Sequence, residues 1–426
     1  MSSVDINSQP EAVAGGRQKR YTMMALLLSA LLLCYIDRVI ISIAAIEMQK
    51  DLAWTDSQKG LVLSSFFIGY LVMQILGGLL ANRFGGRNVM LLAMLLWSAF
   101  TVLTPIAALA AFPLLIATRI LLGVGEGASY PAAYNLIQNW MPITERSRAV
   151  SGIYAASGIG SIFALAATGP LIVAFGWPSV FYLFGSIGVI WSICWVTMVP
   201  PQAVVPTAGS SSRKTKSEIP WRLLFMHPAA ITIYVIGLAA GCISFTMTSW
   251  LPSYYVDTFQ VTTSQAGFLS VIPFAGMIVS SVLAGLYADR RLQKGVAVLR
   301  VRREVTLSCG ALLIIGLLAL GNSPYLWMGA ASATVVMSAL AAMVAGYSPL
   351  AADVLPDHGD VLFGFVAGLG SIGSSLMIAL TGYLVETTGS YSSIFYLMAG
   401  LTVAGLLFFI RFAQAEPIDR PANKEI

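Results

Sequence analysis

Apolar stretches of about 20 residues, the length that crosses a hydrocarbon core, recur along nearly the whole chain with only short polar breaks. Such a chain belongs in a bilayer, and its fold is expected to be an all-α bundle of membrane-spanning helices. Twelve spans are expected, near 22–44, 58–81, 88–107, 112–138, 149–174, 179–199, 229–250, 264–288, 304–321, 325–349, 361–385 and 392–412. Composition agrees: 57% of the 426 residues are hydrophobic and only 10% are charged. A soluble domain carries roughly 25% charged residues.

Lys and Arg near span ends stay on the cytoplasmic side and so fix the orientation. They fall before the first span (Arg17, Lys19, Arg20) and then in alternate loops: Arg83 and Arg87, Arg146 and Arg148, Arg213 to Arg222, Arg290 to Arg303, and the tail from Arg411. The intervening loops hold only Lys50 and Lys59. Both termini are therefore expected in the cytoplasm, and the net charge of +5 reflects this topology, with no nucleic-acid partner implied. The first twenty residues are polar, with Asp5 and Glu11 and no short apolar core before a small-residue cleavage site, so no cleaved leader is expected. Cys34, Cys194, Cys242 and Cys309 all fall within spans, which argues for packing roles and against disulfides or a metal cluster.

The chain is internally duplicated. Ser57-Gln58-Lys59-Gly60, Phe67, Gly69, Val72, Leu76, Gly78-Leu79 and Ala81-Asn82-Arg83 recur as Ser264-Gln265-Ala266-Gly267, Phe274, Gly276, Val279, Leu283, Gly285-Leu286 and Ala288-Asp289-Arg290, at one offset (264 − 57 = 207). Thr168-Gly169, Leu171, Gly176 and Phe181-Tyr182-Leu183 recur as Thr381-Gly382, Leu384, Gly389 and Phe395-Tyr396-Leu397. Two pseudo-symmetric six-span halves follow, 22–199 and 229–412, flanked by cytoplasmic segments 1–21 and 413–426. Residues 200–228, with Pro200-Pro201 and the basic, Ser-rich run 209–214, read as a flexible cytoplasmic linker. This arrangement suits alternating access, in which the halves rock about a site at mid-membrane.

Four ionisable residues lie deep in spans of the first half: Asp37, Arg38, Arg119 and Glu126. A charge at the bilayer centre costs roughly 3 kcal/mol or more, so each calls for a partner, a cavity or a substrate. Arg119 and Glu126 are about two turns apart on one helix face, while the neighbours Asp37 and Arg38 point about 100° apart. In the functional reading, Arg38 and Arg119 offer planar guanidinium forks to an anion, and Asp37 and Glu126 carry protons. A carboxyl group in a low-dielectric cavity holds its proton more tightly and an adjacent guanidinium loosens it, so an anion that takes the guanidinium promotes protonation. In the alternative, the four form inert salt bridges between the first and fourth spans. Gly123, Gly125 and Gly127 read as close helix packing, with local flexibility as the other reading. Tyr35, Tyr70, Tyr347, Ser348, Ser371 and Ser374 are candidates to complete a pocket. Trp250, Tyr254 and Tyr255 near a span end read as interfacial anchors.

Gly78-Leu79-Leu80-Ala81-Asn82-Arg83-Phe84-Gly85-Gly86-Arg87 resembles the loop signature of the major facilitator superfamily, with Asn82 where Asp is usual; the second copy keeps Asp289-Arg290. Asn82, Arg83, Arg87, Asp289 and Arg290 are thereby implicated in a cytoplasmic gate. Arg119 to Gly127, followed by Tyr130-Pro131-Ala132, Trp140, Pro142, Glu145-Arg146-Ser147-Arg148, Gly176-Trp177 and Val180-Phe181-Tyr182, together with Tyr35-Ile36-Asp37-Arg38, resembles the anion/cation symporter family. That family includes hexuronate, galactonate, sialic acid, vesicular glutamate and plant organellar phosphate carriers. The second half departs from the pattern, with Ala367 where Asn is common and Ile378 in place of a proline. The resemblance implies the same roles for the four charges.

The expected function is proton-coupled symport of a small organic anion, a sugar acid or other carboxylate, by a monomer that needs no cofactor or metal. Phosphate or sodium-coupled anion transport is the alternative. A drug exporter is disfavoured because Gly169-Pro170-Leu171-Ile172-Val173 lacks the Gly-Pro-x-x-Gly-Gly of proton-driven drug antiporters, and a non-transporting sensor because the tail after Arg411 is short. His227 and His358 are isolated loop residues, and no nucleophile, metal or nucleotide motif suggests an enzyme. The expected location is the bacterial inner membrane.

Overall fold

The computed structural model describes residues 17–201, 220–356 and 358–418. The basic run 209–214, most of the expected linker, the first sixteen residues and the last eight lie outside the described residues. The elements are α1 (Arg17–Asp51), α2 (Asp56–Phe84), α3 (Gly86–Ala110), α4 (Phe112–Gly127), α5 (Ser129–Trp140), α6 (Ile143–Phe175), α7 (Pro178–Met198), α8 (Trp221–Met226), α9 (Pro228–Phe259), α10 (Thr263–Gln293), α11 (Val298–Gly321), α12 (Leu326–Tyr347), α13 (Leu350–Val354), α14 (Gly359–Thr388) and α15 (Ser392–Phe412). No strand occurs among the described residues. Among the described residues eleven spans are long and apolar enough to cross a membrane, and the two arms of α2, Asp56–Gln74 and Leu76–Phe84, bent by 47°, make a twelfth when counted as one span.

Several boundaries run past the expected ones. α1 covers 17–51 where 22–44 was expected, because polar residues extend the helix beyond the hydrocarbon at both ends. Part of the expected linker is helical: Trp221 and Phe225, one turn apart in α8, stack on each other and meet the Phe365 ring edge-on. Lys59, expected in a loop, lies inside α2 and is fully buried. Trp250, Tyr254 and Tyr255 are buried within the second half and do not face a headgroup layer. Their polar tips turn inward: Trp250 Nε1 donates to the Ile378 carbonyl and Tyr254 Oη to that of Leu320.

Besides the bent second span, two spans are briefly interrupted, each next to a proline. Pro131 has no N–H for the Gly127 carbonyl, and the fourth span divides into α4 and α5 directly after Gly127; the Ser129 hydroxyl bonds the Glu126 carbonyl at 2.6 Å. In the second half, the tenth span divides into α12 and α13 at Ser348-Pro349. The duplication is also visible in the caps. Thr55 starts α2 with a capping box to Gln58, and Thr262 starts α10 with the same box to Gln265.

Glycines set the helix spacing. A methyl on Gly69 would lie 1.9 Å from the Ile120 carbonyl, and one on Gly123 would lie 2.1 Å from that of Phe66, so α2 and α4 touch backbone to backbone. Gly127 packs on Tyr70 in the same seam, whereas Gly125 faces Trp97 of α3. The three glycines of α4 thus serve packing on two sides.

The halves converge at the face opposite the termini and part toward the face that carries them. At the opposite face Gly382 of α14 abuts Asp56 and Gly60 of α2, and by the repeat Gly169 of α6 abuts Ser264 of α10. Ser57 N–H donates to Glu386 at 2.8 Å and Thr263 hydrogen-bonds Glu47, both across the halves. Midway, Ser375 donates to the Ser64 carbonyl at 3.1 Å, and Gly368 comes within 3.9 Å of Leu71. Beyond that, toward the termini, Gly78, Gly285 and Gly364 have nothing within 4 Å of a built Cβ. The wedge between the halves therefore opens on the termini face.

Gly123→Ala is expected to cost about 2 kcal/mol or more through overpacking, seen as a drop of several degrees in the melting temperature of the detergent-solubilised protein. Gly78→Ala, in open space, is expected to leave it unchanged; equal effects from the two would contradict the packing described.

Candidate functional site

The four embedded charges converge on α1 and α4. Arg38 reaches across to Glu126, with Nη2 at 3.0 Å and Nε at 3.2 Å from the same oxygen, Oε2. Cys34, one turn before Arg38, places its thiol 3.4 Å from that oxygen and is a member of the cluster in addition to packing there. Glu126 is 0% exposed and Arg119 is 1% exposed. The second carboxylate oxygen of Glu126, Oδ1 of Asp37, and Nε and Nη1 of Arg119 are all buried without a hydrogen-bond partner. Asp37 interacts electrostatically with Arg119 and lies beside the Trp97 indole. Arg119 and Glu126, two turns apart on α4, do not pair with each other; Arg38 holds the glutamate.

Aromatic rings surround the guanidiniums. The Arg38 guanidinium carbon lies 4.7 Å from the Tyr35 ring centre, 4.6 Å from Tyr70 and 5.2 Å from Phe66; Arg119 lies 5.6 Å from the same Phe66 ring. Phe66 thus stands against both cations, where the negative face of a ring offsets part of their lost hydration. Tyr130 meets Tyr35 edge-on and shares a 2.9 Å hydrogen bond with Ser157, and Tyr134 shares one of 2.8 Å with Tyr154. Tyr154 is 53% exposed, which connects this cluster to the open wedge.

Tyr35 and Tyr70 therefore join the charge cluster. Ser371 and Ser374 do not: their hydroxyls bond the Ala367 and Gly370 carbonyls of their own helix. Tyr347 is buried against Gly237 of α9, and Ser348 sits at the α12–α13 break. On the termini face, Asn82 accepts a 3.2 Å hydrogen bond from Asn135, which in turn accepts one from Gly86 N–H, joining the start of α3 to α5. Arg87 holds the end of α7 through the Val199 and Val196 carbonyls at 2.8 and 3.3 Å. Arg83, Asp289 and Arg290 are exposed, and it is Arg291 that pairs with Glu304, at 2.8 Å.

Phe66, Tyr134, Tyr154 and Ser157 are not singled out by sequence, and Tyr130 enters there only as part of a family motif, not as a site residue. A signal was present: Glu126, Tyr130 and Tyr134 follow a strict i, i+4 spacing, which would place them on one helix face. Among the described residues no cluster of side chains suited to a metal ion occurs. Chemically, the arrangement offers guanidinium groups and phenol hydroxyls to an anion, next to a carboxylate that can be released from its arginine.

A family model described as Major Facilitator Superfamily matches residues 26–301 and 259–426. The sodium-dependent phosphate transport protein 1 of Arabidopsis thaliana chloroplasts is 32% identical over 94% of this chain and 80% of its own length. The chloroplast ascorbate transporter of the same plant is 32% identical over 94% and 76%. The voltage-gated purine nucleotide uniporter of Homo sapiens is 30% identical over 92% of each chain. Among solved structures, a bacterial homologue of the human lysosomal transporter Spinster, inward-facing and unoccupied, superposes with a TM-score of 0.76 at 17% identity, covering 94% of this chain and 96% of that one. A D-xylose–proton symporter gives a TM-score of 0.74 at 16% identity, covering 93% and 98%.

Arg38→Met should leave Glu126 buried without its partner, a loss of about 3–5 kcal/mol for a broken buried pair. Adding Glu126→Gln should restore most of the melting temperature. A double variant no more stable than the single one would show that the pair is not what holds α1 to α4.

Proposed function

This chain belongs to the major facilitator superfamily, among its anion transporters, and is a multi-pass membrane transporter, not an enzyme; from that premise we propose that it carries a small organic anion, a sugar acid or other carboxylate, together with a proton. The observation that carries the reading is Glu126, one oxygen held by Arg38 and the other without a partner, next to Arg119 with two unpartnered nitrogens. An anion entering from the open wedge competes for Arg38 and takes the free donors of Arg119. Glu126, released from its guanidinium, then accepts a proton, and Asp37 is the second proton carrier. Tyr35, Tyr70, Tyr130 and Tyr154 orient the substrate through their hydroxyls.

Charge arithmetic supports coupling. Two arginines and two carboxylates sum to zero, and one monoanion plus one proton keeps the sum at zero, so the loaded site is no more costly to carry through the membrane than the empty one. Ser348, Ser371, Ser374 and Tyr347 of the second half contribute shape. Asn82, Arg83, Arg87, Asp289 and Arg290 belong to the gate that closes the termini face when the halves rock the other way. The proposed location is a bacterial inner membrane; the cation-rich loops support the cytoplasmic placement of the termini within that reading, and the open wedge is then the inward-facing state. The monomer suffices, since each half lines the single path.

In proteoliposomes, labelled galactonate, ascorbate and phosphate are offered under an inward proton gradient or, separately, an inward sodium gradient. Accumulation of a carboxylate under the proton gradient is expected. Glu126→Gln should abolish that accumulation while leaving exchange of internal for external substrate. Undiminished gradient-driven uptake by the variant would overturn the role of Glu126, and accumulation driven by sodium alone would favour the sodium-coupled reading carried by the plant phosphate relative's name.

A further inference from the structure

We propose that Lys59 is a second anion contact, at the end of the path opposite the termini, holding Trp250 while that end is closed and the travelling carboxylate when it is open. This rests on the anion-transport reading above. Lys59 is 0% exposed, and its Nζ has no hydrogen-bond partner; it lies 5.0 Å from the centre of the Trp250 ring. A lysine near a span end ordinarily snorkels to the interface. Here the ammonium is instead pressed between the halves, and an aromatic face replaces only part of its hydration.

Asp257 and Asp56 act on it through space, but no neighbouring acid is in hydrogen-bond contact with it. Asp56 accepts from Gln49 at 2.8 Å, Asp257 from Tyr391 at 2.6 Å, and Glu386 from Ser57 N–H at 2.8 Å. Among the described residues no carboxylate lies within ion-pair distance of Lys59. The repeat shows that the position does not demand a lysine: the 207-residue offset puts Ala266 in its place and Ile43 in that of Trp250. An apolar pair seals the equivalent α10 seam, so the charge in the α2 seam has some purpose other than closure.

Position along α2 gives that purpose. Lys59 precedes Phe66 by two turns on the same helix face, about 10 Å along the axis, and Phe66 is the ring that touches both Arg38 and Arg119. Lys59 is therefore in line with the inner site. When the halves part at this end, α2 leaves α9 and α14, the Gly60–Gly382 contact opens, and the ammonium loses Trp250 and faces the new mouth. That mouth is otherwise acidic, with Glu47, Asp51, Asp56, Asp257 and Glu386 against Lys50, which is paired with Glu47. An approaching anion meets one unpaired positive charge there.

The test uses proteoliposomes of sorted orientation and whichever of galactonate, ascorbate and phosphate the wild-type protein takes up. Lys59→Gln is expected to raise KM about tenfold for substrate entering at the opposite face, with kcat and the KM at the termini face within about twofold of wild type, and Lys59→Arg should restore it. An unchanged opposite-face KM, or equal changes at both faces, would overturn the proposal. Independently of any substrate, Lys59→Cys should react with an impermeant methanethiosulfonate added at the opposite face, against the unsubstituted protein as blank. Absence of that reaction would defeat the Lys59 proposal while leaving anion transport standing, whereas a wild-type protein that moves none of the three anions would defeat the transport reading itself.

Discussion

No peptide group in hydrocarbon can go without a hydrogen-bond partner, and the rest of this molecule follows from that constraint. It makes every described span helical, and it confines irregular backbone to places that protein covers. The two interrupted spans show this: α4 breaks from α5 after Gly127, where the Ser129 hydroxyl bonds the neighbouring Glu126 carbonyl, and α12 breaks from α13 at Ser348-Pro349. The first break lies directly beside Glu126 and the charge cluster, whereas the second lies toward the termini face, where Asp353 meets Arg302 and Val354 accepts from Ile418 N–H. At the first, interruption of the helix and placement of the charged site coincide.

With no hydrophobic drive between helices in lipid, close contact depends on small residues. Gly69, Gly123 and Gly127 bring α2 onto α4, and this proximity is what allows Phe66, on α2, to lie against a guanidinium from α1 and another from α4. The electrostatics of the site therefore rest on backbone contacts several ångströms away from any charge. The proposed function draws on both: in it the guanidiniums are the anion contacts, and the close helix contacts hold them in place.

Much of this was legible in the letters. Span number, the two halves, the four embedded charges and their meeting between the first and fourth spans follow from hydropathy, a fixed offset and the rarity of charge in apolar runs. The choice between anion site and inert salt bridge was not legible, since it turns on which atoms remain unpartnered, and the geometry gives one tight pair with orphaned atoms around it. Lys59 was misplaced because a cation beside a polar break reads as a loop residue; only packing against the other half distinguishes a buried lysine from a solvated one. Trp250, Tyr254 and Tyr255 were misread for a similar reason, as a span end in sequence can be the middle of a helix bundle when the helix runs on past the hydrocarbon. The phenol cluster was missed because Tyr130, Tyr134 and Tyr154 come from two helices whose adjacency no spacing rule supplies.

The distribution of charge between the halves has a mechanical consequence. Arg38, Glu126, Asp37 and Arg119 all ride on one bundle, so in the proposed rocking of the halves the cluster turns as a rigid body, and rocking by itself pulls no ion pair inside it apart. The electrostatic work of reorientation is then set by what the moving walls expose or cover, and loosening of the Arg38–Glu126 pair belongs to the arrival of the anion alone.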